Sequence, residues 1–126
     1  MNYKRFEELP CWNKARELCR MAFGLINQGR LKNDFGLKNQ LWTAAGSVMD
    51  NIAEGFDDGS SREFVRFLGY SQRSCGEVQS QLYRALDCNY ISQTEFTEAY
   101  ELAAECRMQI KGFRRYLRGY ELDDKE

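Results

Sequence analysis

Two groups of side chains in this sequence have the types and spacing for chemistry. The first is acidic and amide-rich: Asn51, Glu54, Glu77 and Gln81. A helix whose inward positions run Leu37, Leu41, Ala44 and Val48 turns Asn51 inward next, with Glu54 in its last turn. Ser74, Glu77 and Gln81 make a polar stripe on the following helix. Brought together, Glu54 and Glu77 would form a carboxylate pair suited to general acid–base work. The same residues have a structural use. A buried amide left unsatisfied costs ~1–3 kcal/mol, so Asn51 bonded to these neighbours would pin the register of two helices. The sequence contains no histidine, which removes Ser-His-Asp and Cys-His catalysis and the Glu-x-x-His ligands of di-iron bundles. No cysteine pair has zinc-site spacing and no phosphate loop is present. The register pin is therefore the reading adopted, with no catalytic residue, no metal and no cofactor expected, and the chain is not expected to be an enzyme.

The second group is basic. Arg107, Lys111, Arg114, Arg115 and Arg118 occur with no acidic residue between the first and the last. At about 100° per residue all five fall within roughly one quadrant of a helix. Arg62, Arg66 and Arg73 share a face of the preceding helix. If the two helices are antiparallel, Arg62 and Arg66 lie at the same end as Arg114, Arg115 and Arg118, a candidate phosphate-binding patch. A second account fits a monomer: the helix begins with Glu95, Glu98, Glu101 and Glu105 and ends basic, the polarity its dipole favours. Asp57, Asp58 and the acidic tail 121–126 could neutralise that end. In a ring of subunits the patch would recur and the balance would move toward binding.

These groups need long helices to position them. Phe64, Leu68, Ser71, Cys75, Val78, Leu82 and Ala85 repeat at alternating spacings of four and three, as do Phe96, Ala99, Ala103, Cys106, Ile110, Phe113, Leu117 and Tyr120. Spacing that averages 3.5 keeps one helical seam turned toward a partner, and no strand has that period. Ser60-x-x-Glu63 and Ser92-x-x-Glu95 read as capping boxes just before these seams. Pro10 suits a first helical turn, Trp12, Ala15, Leu18, Cys19, Ala22 and Ile26 form the first buried stripe, and Gly29 and Gly55 read as stops. The pattern predicts an all-α, antiparallel up-down-up-down four-helix bundle, with helices at about 10–28, 35–54, 61–87 and 93–118. One domain spans 1–126, its core about 6–118, joined by short connections of about five to six residues.

Composition bounds the setting. The chain of 126 residues is 43% hydrophobic, 29% charged and has a net charge of −1, so only a local patch could attract nucleic acid. It has no run of about 18 apolar residues and no apolar leader at its start, so no membrane partner is expected and a cytoplasmic location is. The five cysteines are then read as reduced, with Cys75 and Cys106 as small core residues. Trp42, Phe67, Tyr70, Tyr83, Tyr100 and Tyr116 lie beside the seams. They either widen the core face or mark self-association, with Trp42 and Tyr116 as the candidate oligomer contacts.

The block Ser47-Val48-Met49-Asp50-Asn51-Ile52-Ala53-Glu54-Gly55, followed by Glu63-Phe64 and Phe67-Leu68, resembles the signature of the four-helix-bundle proteins encoded in bacterial 23S rRNA intervening sequences. Ser74-Cys75-Gly76-Glu77 with Gln81-Leu82 resembles its next block, Phe6, Leu9, Trp12 and Ala15 its opening, and Gly36-Leu37, Gln40-Leu41 and Ala44-Ala45 its second helix. Tyr90-Ile91 fits the turn before the last helix. Met49 stands where the family usually has proline, and Trp42-Thr43 where it has basic residues. The resemblance implies a homo-oligomer, a pentamer. More distantly the chain is similar to the accessory bundle proteins of diversity-generating retroelements, which bind nucleic acid and a reverse transcriptase. The expectation drawn from all of this is a non-enzymatic oligomeric bundle. It would associate with RNA or DNA, rRNA above all, through the basic stripe; the alternative is a protein-binding scaffold or accessory subunit with no nucleic-acid contact.

Overall fold

The computed structural model describes residues 2–125, with side chains described over 2–119. Four helices carry the chain: α1 (Pro10–Ile26), α2 (Phe35–Asp58), α3 (Ser61–Asp87) and α4 (Gln93–Lys125). Short 3-10 turns at Phe6–Glu8 and Leu31–Asn33 lead into α1 and α2, and no strand occurs among the described residues. Their principal contacts run α1 to α2, α2 to α3, α3 to α4 and α4 back to α1, which closes a four-cornered bundle. Cross-helix contacts fix the directions. Ser74 of α3 donates to Ser47 of α2 at 3.0 Å, and Arg84, near the end of α3, donates to Gln40, near the start of α2, at 2.6 Å. Lys14 of α1 pairs with Glu105 of α4 at 3.4 Å, while Gln28 donates to Glu95 at the opposite end. Every neighbouring pair is antiparallel.

The seams read from the sequence are the core. Phe64, Leu68, Ser71, Cys75, Val78, Leu82 and Ala85 are all buried, as are Phe96, Ala99, Ala103, Cys106, Ile110 and Leu117. Phe113 is half-buried, in a row of rings between Phe64 and Tyr116. Tyr120, the last position of that seam, lies outside the described side chains. The caps follow the local chemistry. Asp34 accepts the Leu37 N–H at 3.1 Å to open α2. Ser92 and Glu95 form a reciprocal box, the Glu95 N–H donating to the Ser92 hydroxyl at 3.1 Å and the Ser92 N–H to the Glu95 carboxylate at 2.8 Å. At α3 only half of the expected box forms. Ser60 accepts the Glu63 N–H at 3.1 Å, but the Glu63 carboxylate turns to Arg66 at 3.0 Å.

Three boundaries differ from the pattern. Helix α1 ends at Ile26 rather than near 28, where Asn27 folds its amide back onto the Phe23 carbonyl at 2.8 Å. Helix α2 does not stop at Gly55. It continues to Asp58 and closes at Gly59, whose φ of 87° is the left-handed conformation that glycine adopts without a Cβ penalty. Gly55 is instead a close-approach residue. A Cβ there would lie 2.7 Å from Phe67 Cβ and 2.9 Å from Phe64 Cδ1, so its hydrogen lets α2 and α3 touch. With Gly59 and Ser60 the only residues between α2 and α3, that turn is shorter than the five or six residues expected. Helix α4 continues past 118 through the acidic segment to Lys125, because nothing in Gly119–Lys125 breaks the helical backbone. No helix among the described residues is long and apolar enough to cross a membrane.

Candidate nucleic-acid interface

The basic residues of α3 and α4 meet because the two helices are antiparallel and because α3 carries two glycines where α4 carries two arginines. Arg107 and Arg114 are seven residues apart on α4, and Gly76 and Gly69 are seven apart on α3. Seven residues are two turns, so each arginine crosses the seam over one glycine. At Gly69 a Cβ would come within 2.9 Å of Arg114 Nη2 and 3.1 Å of its Cζ; at Gly76 it would come within 3.4 Å of Arg107 Nη1. Arg114 is half-buried and held by two bonds, Nε donating to the Val65 carbonyl at 3.0 Å and Nη1 to Gln72 Oε1 at 3.2 Å. Arg107 makes a longer contact to Gln79 Oε1 at 3.5 Å and stays exposed.

Around this seam lie further arginines, two of them stacked on aromatic rings. Arg73 lies over the Tyr70 ring, 5.0 Å from its centroid, and Arg66 lies 5.7 Å from Phe67 and 5.9 Å from Tyr70. Arg66 is neutralised by Glu63. Among the described residues no carboxylate forms an ion pair with Arg62, Arg73, Arg107, Lys111, Arg114, Arg115 or Arg118. Burial, then Arg118 and Arg73, holds the Arg114 guanidinium below its ordinary pKa, though an arginine remains charged at any working pH. Lys111, Arg115, Arg118 and Arg62 are exposed. The α3/α4 face thus presents a fixed guanidinium in the seam, the Arg73 guanidinium stacked on Tyr70 at its edge, and flexible cations at its rim. Phosphate oxygens would accept from the cations, and the guanidinium planes suit bases. The α1/α4 face is its opposite in sign, with Glu17, Glu98, Glu101 and Glu105 beside Arg20.

Residues 7–112 match the sequence model of the family described as 23S rRNA-intervening sequence protein. The chain belongs to that family. No curated protein matches the chain at a significant level.

The amide and carboxylate residues are arranged differently from the expected network. Asn51 is half-buried, but its amide donates within its own helix, to the Ser47 carbonyl at 2.8 Å and the Ser47 hydroxyl at 2.9 Å. Glu54 and Glu77 are exposed, and no hydrogen bond joins Asn51, Glu54, Glu77 and Gln81 to one another among the described residues. The reason is rotational: Asn51 sits at the edge of the α2 stripe, one turn from Ser47, and a four-residue step reaches the i−4 carbonyl before a facing helix. Serines pin α2 to α3 instead. Ser71 is fully buried and donates to the Val48 carbonyl at 2.8 Å, and Ser74 donates to Ser47. Gln81 Oε1 is buried with no hydrogen-bond partner among the described residues. Three of the buried thiols are held in the protonated form, while Cys88 is exposed. Burial pushes Cys11 up to about 12 and Cys19 to about 11, and a bond to Cys75 followed by burial raises Cys106 as well.

Trp42 and Tyr116 are both surface residues on different faces. Trp42, 46% exposed, meets Phe23, 58% exposed, at a ring distance of 5.8 Å between α1 and α2. Tyr116, 50% exposed, meets Phe113 at 6.0 Å beside α1. Sequence reasoning passed over Phe23, Gly69, Gly76 and Gln72 as parts of these surfaces. The matched seven-residue spacing of two glycines and two arginines was the signal that could have found the two glycines.

Proposed function

We propose that this chain is a non-enzymatic, cytoplasmic bundle protein that associates with RNA through the α3/α4 face. One observation carries the reading: a half-buried arginine, a stacked arginine and several exposed cations share one face with no carboxylate paired to them among the described residues. Unpaired cations held near one another repel, and a polyanion relieves that repulsion while releasing its own counterions. Membership of the intervening-sequence family makes rRNA the first RNA to test. Binding is sequence-tolerant under this reading, because the contacts are to phosphates rather than base edges. The test is a titration with structured rRNA fragments at rising salt. Affinity should fall linearly on a log–log plot, and Lys111→Glu with Arg115→Glu should lower it and flatten that slope by about one per charge removed. Binding that ignores both salt and charge reversal would remove this reading.

A second reading is favoured by the Phe23–Trp42 pair, two large exposed rings in contact on the face opposite the basic seam. Such a pair is suited to the centre of a contact with a second copy or another protein. A face used by one subunit against a different face of the next builds a closed ring, and five subunits is the number the family resemblance gave. Trp42→Glu should then lower the mass measured by light scattering without lowering the unfolding midpoint. A native chain that is monomeric at all concentrations would exclude the ring.

A further inference from the structure

We propose that Arg73, Arg114 and Arg118 form a site for a single phosphate group over Gly69, the phosphate being a nucleic-acid phosphodiester or the free ion. The inference rests on reading the α3/α4 face as a phosphate-binding surface and names its anchor.

Arg114 is built as a receptor rather than left as a surface charge. Its two bonds go to neutral acceptors, the Val65 carbonyl and Gln72, which fix the guanidinium plane without cancelling its charge. Both N–H groups on Nη2 make no hydrogen bond among the described residues. A guanidinium already oriented loses little freedom when it binds an oxyanion, and its planar fork matches two oxygens at once. Arg118 stands one turn on from Arg114 along α4, and Arg73 one turn on from Gly69 along α3, so each lies on the same helix face as one half of the site, and both are of the same sign as Arg114. Arg73 is itself oriented by Tyr70. Arg66, one face away, shows the usual alternative, a guanidinium satisfied by its own helix through Glu63.

Gly69 is the second half of the case. Glycine inside a helix is destabilising relative to alanine, yet here it clears the space in which the guanidinium lies. An alanine methyl would displace only the far end of a flexible side chain, so the fold should survive its introduction while the site does not. Gly76 is a matched control, because its Cβ would stand 3.4 Å from Arg107 Nη1, close to ordinary contact.

The experiment uses the full chain. Arginine Nε–H resonances are followed by NMR while inorganic phosphate is added, with chloride at matched ionic strength as the blank, and a labelled single-stranded RNA is titrated in parallel. Phosphate should shift the Arg114 resonance saturably where chloride does not. Gly69→Ala and Arg114→Gln should each weaken phosphate and RNA by about tenfold or more, the loss expected for a charge-assisted hydrogen bond, and Gly76→Ala should stay within about twofold. The same shift with chloride overturns the site, as does native-like phosphate affinity in both Gly69→Ala and Arg114→Gln. RNA binding that is lost in Lys111→Glu/Arg115→Glu but intact in those two variants overturns the anchor and leaves the proposed function standing. Phosphate binding at Arg114 without RNA binding supports the site and overturns the RNA reading.

Discussion

Toward α2, helix α3 presents Phe64, Phe67, Ser71 and Ser74; toward α4 it presents Gly69, Gln72, Gly76 and Gln79. Both seams pair a small residue with a large one, and the small residue does different work in each. At Gly55 the missing methyl lets two helices pack, and the neighbours it would strike include a backbone atom, Phe64 Cα at 3.3 Å. At Gly69 it leaves room for the end of a long polar side chain that could swing elsewhere. The first seam is closed by buried hydroxyls donating to backbone or to each other, and the second is left charged. The lesson is that a glycine in a helix is read by what faces it: backbone and ring carbon mean structure, while a guanidinium means space kept for a polar group.

This contrast can be broken by substitution. Gly55→Ala should have the largest effect, a loss of about 1–3 kcal/mol from overpacking, read as a lower urea midpoint at an unchanged slope. Ser71→Ala should cost about 0.5–1.5 kcal/mol by the same measurement, since it deletes a buried bond to the Val48 carbonyl. Gly69→Ala should move stability the other way, by up to about 1 kcal/mol, because alanine is the better helix former and its neighbour can yield. Equal losses at Gly55 and Gly69 would erase the distinction between the seams. Asn51→Ala should stay within about 0.5 kcal/mol, because its bonds lie within one helix.

The smallest effect is a pH dependence. The Ser92 N–H, then the Gln28 amide, holds the Glu95 carboxyl below its ordinary value of 4.5. A depressed carboxylate adds stability that is present above the unfolded value and lost as pH falls through the folded one. Stability of the native chain should therefore decline below about pH 4.5 more steeply than that of Glu95→Gln, by equilibrium denaturation at stepped pH. Identical acid limbs would show that the cap at α4 carries no proton linkage.

Much of the fold was legible because period alone encodes it. The seam of α3, and that of α4 from Phe96 to Ile110 and at Leu117, is buried where the spacing put it, and α3 begins and ends where its cap and pattern indicated. The errors came from residues with two uses. Gly55 was read as a stop when it is a crossing point, and Asn51 was read as facing another helix when its own i−4 neighbour satisfied it first. A hydrogen bond to a sequence neighbour and one to a distant helix look the same in a helical wheel.

What the sequence by itself determined is how many rods there are, which faces are apolar and which are basic, since those follow from residue order along a helix of fixed pitch. Only the tertiary structure decided that Gly69 lies beneath Arg114, that serines rather than Asn51 hold α2 to α3, and that Arg114 keeps its charge unpaired among the described residues. Those facts depend on the axial register between two helices. Register is set by the summed packing of whole seams, and no local stretch of residues contains it.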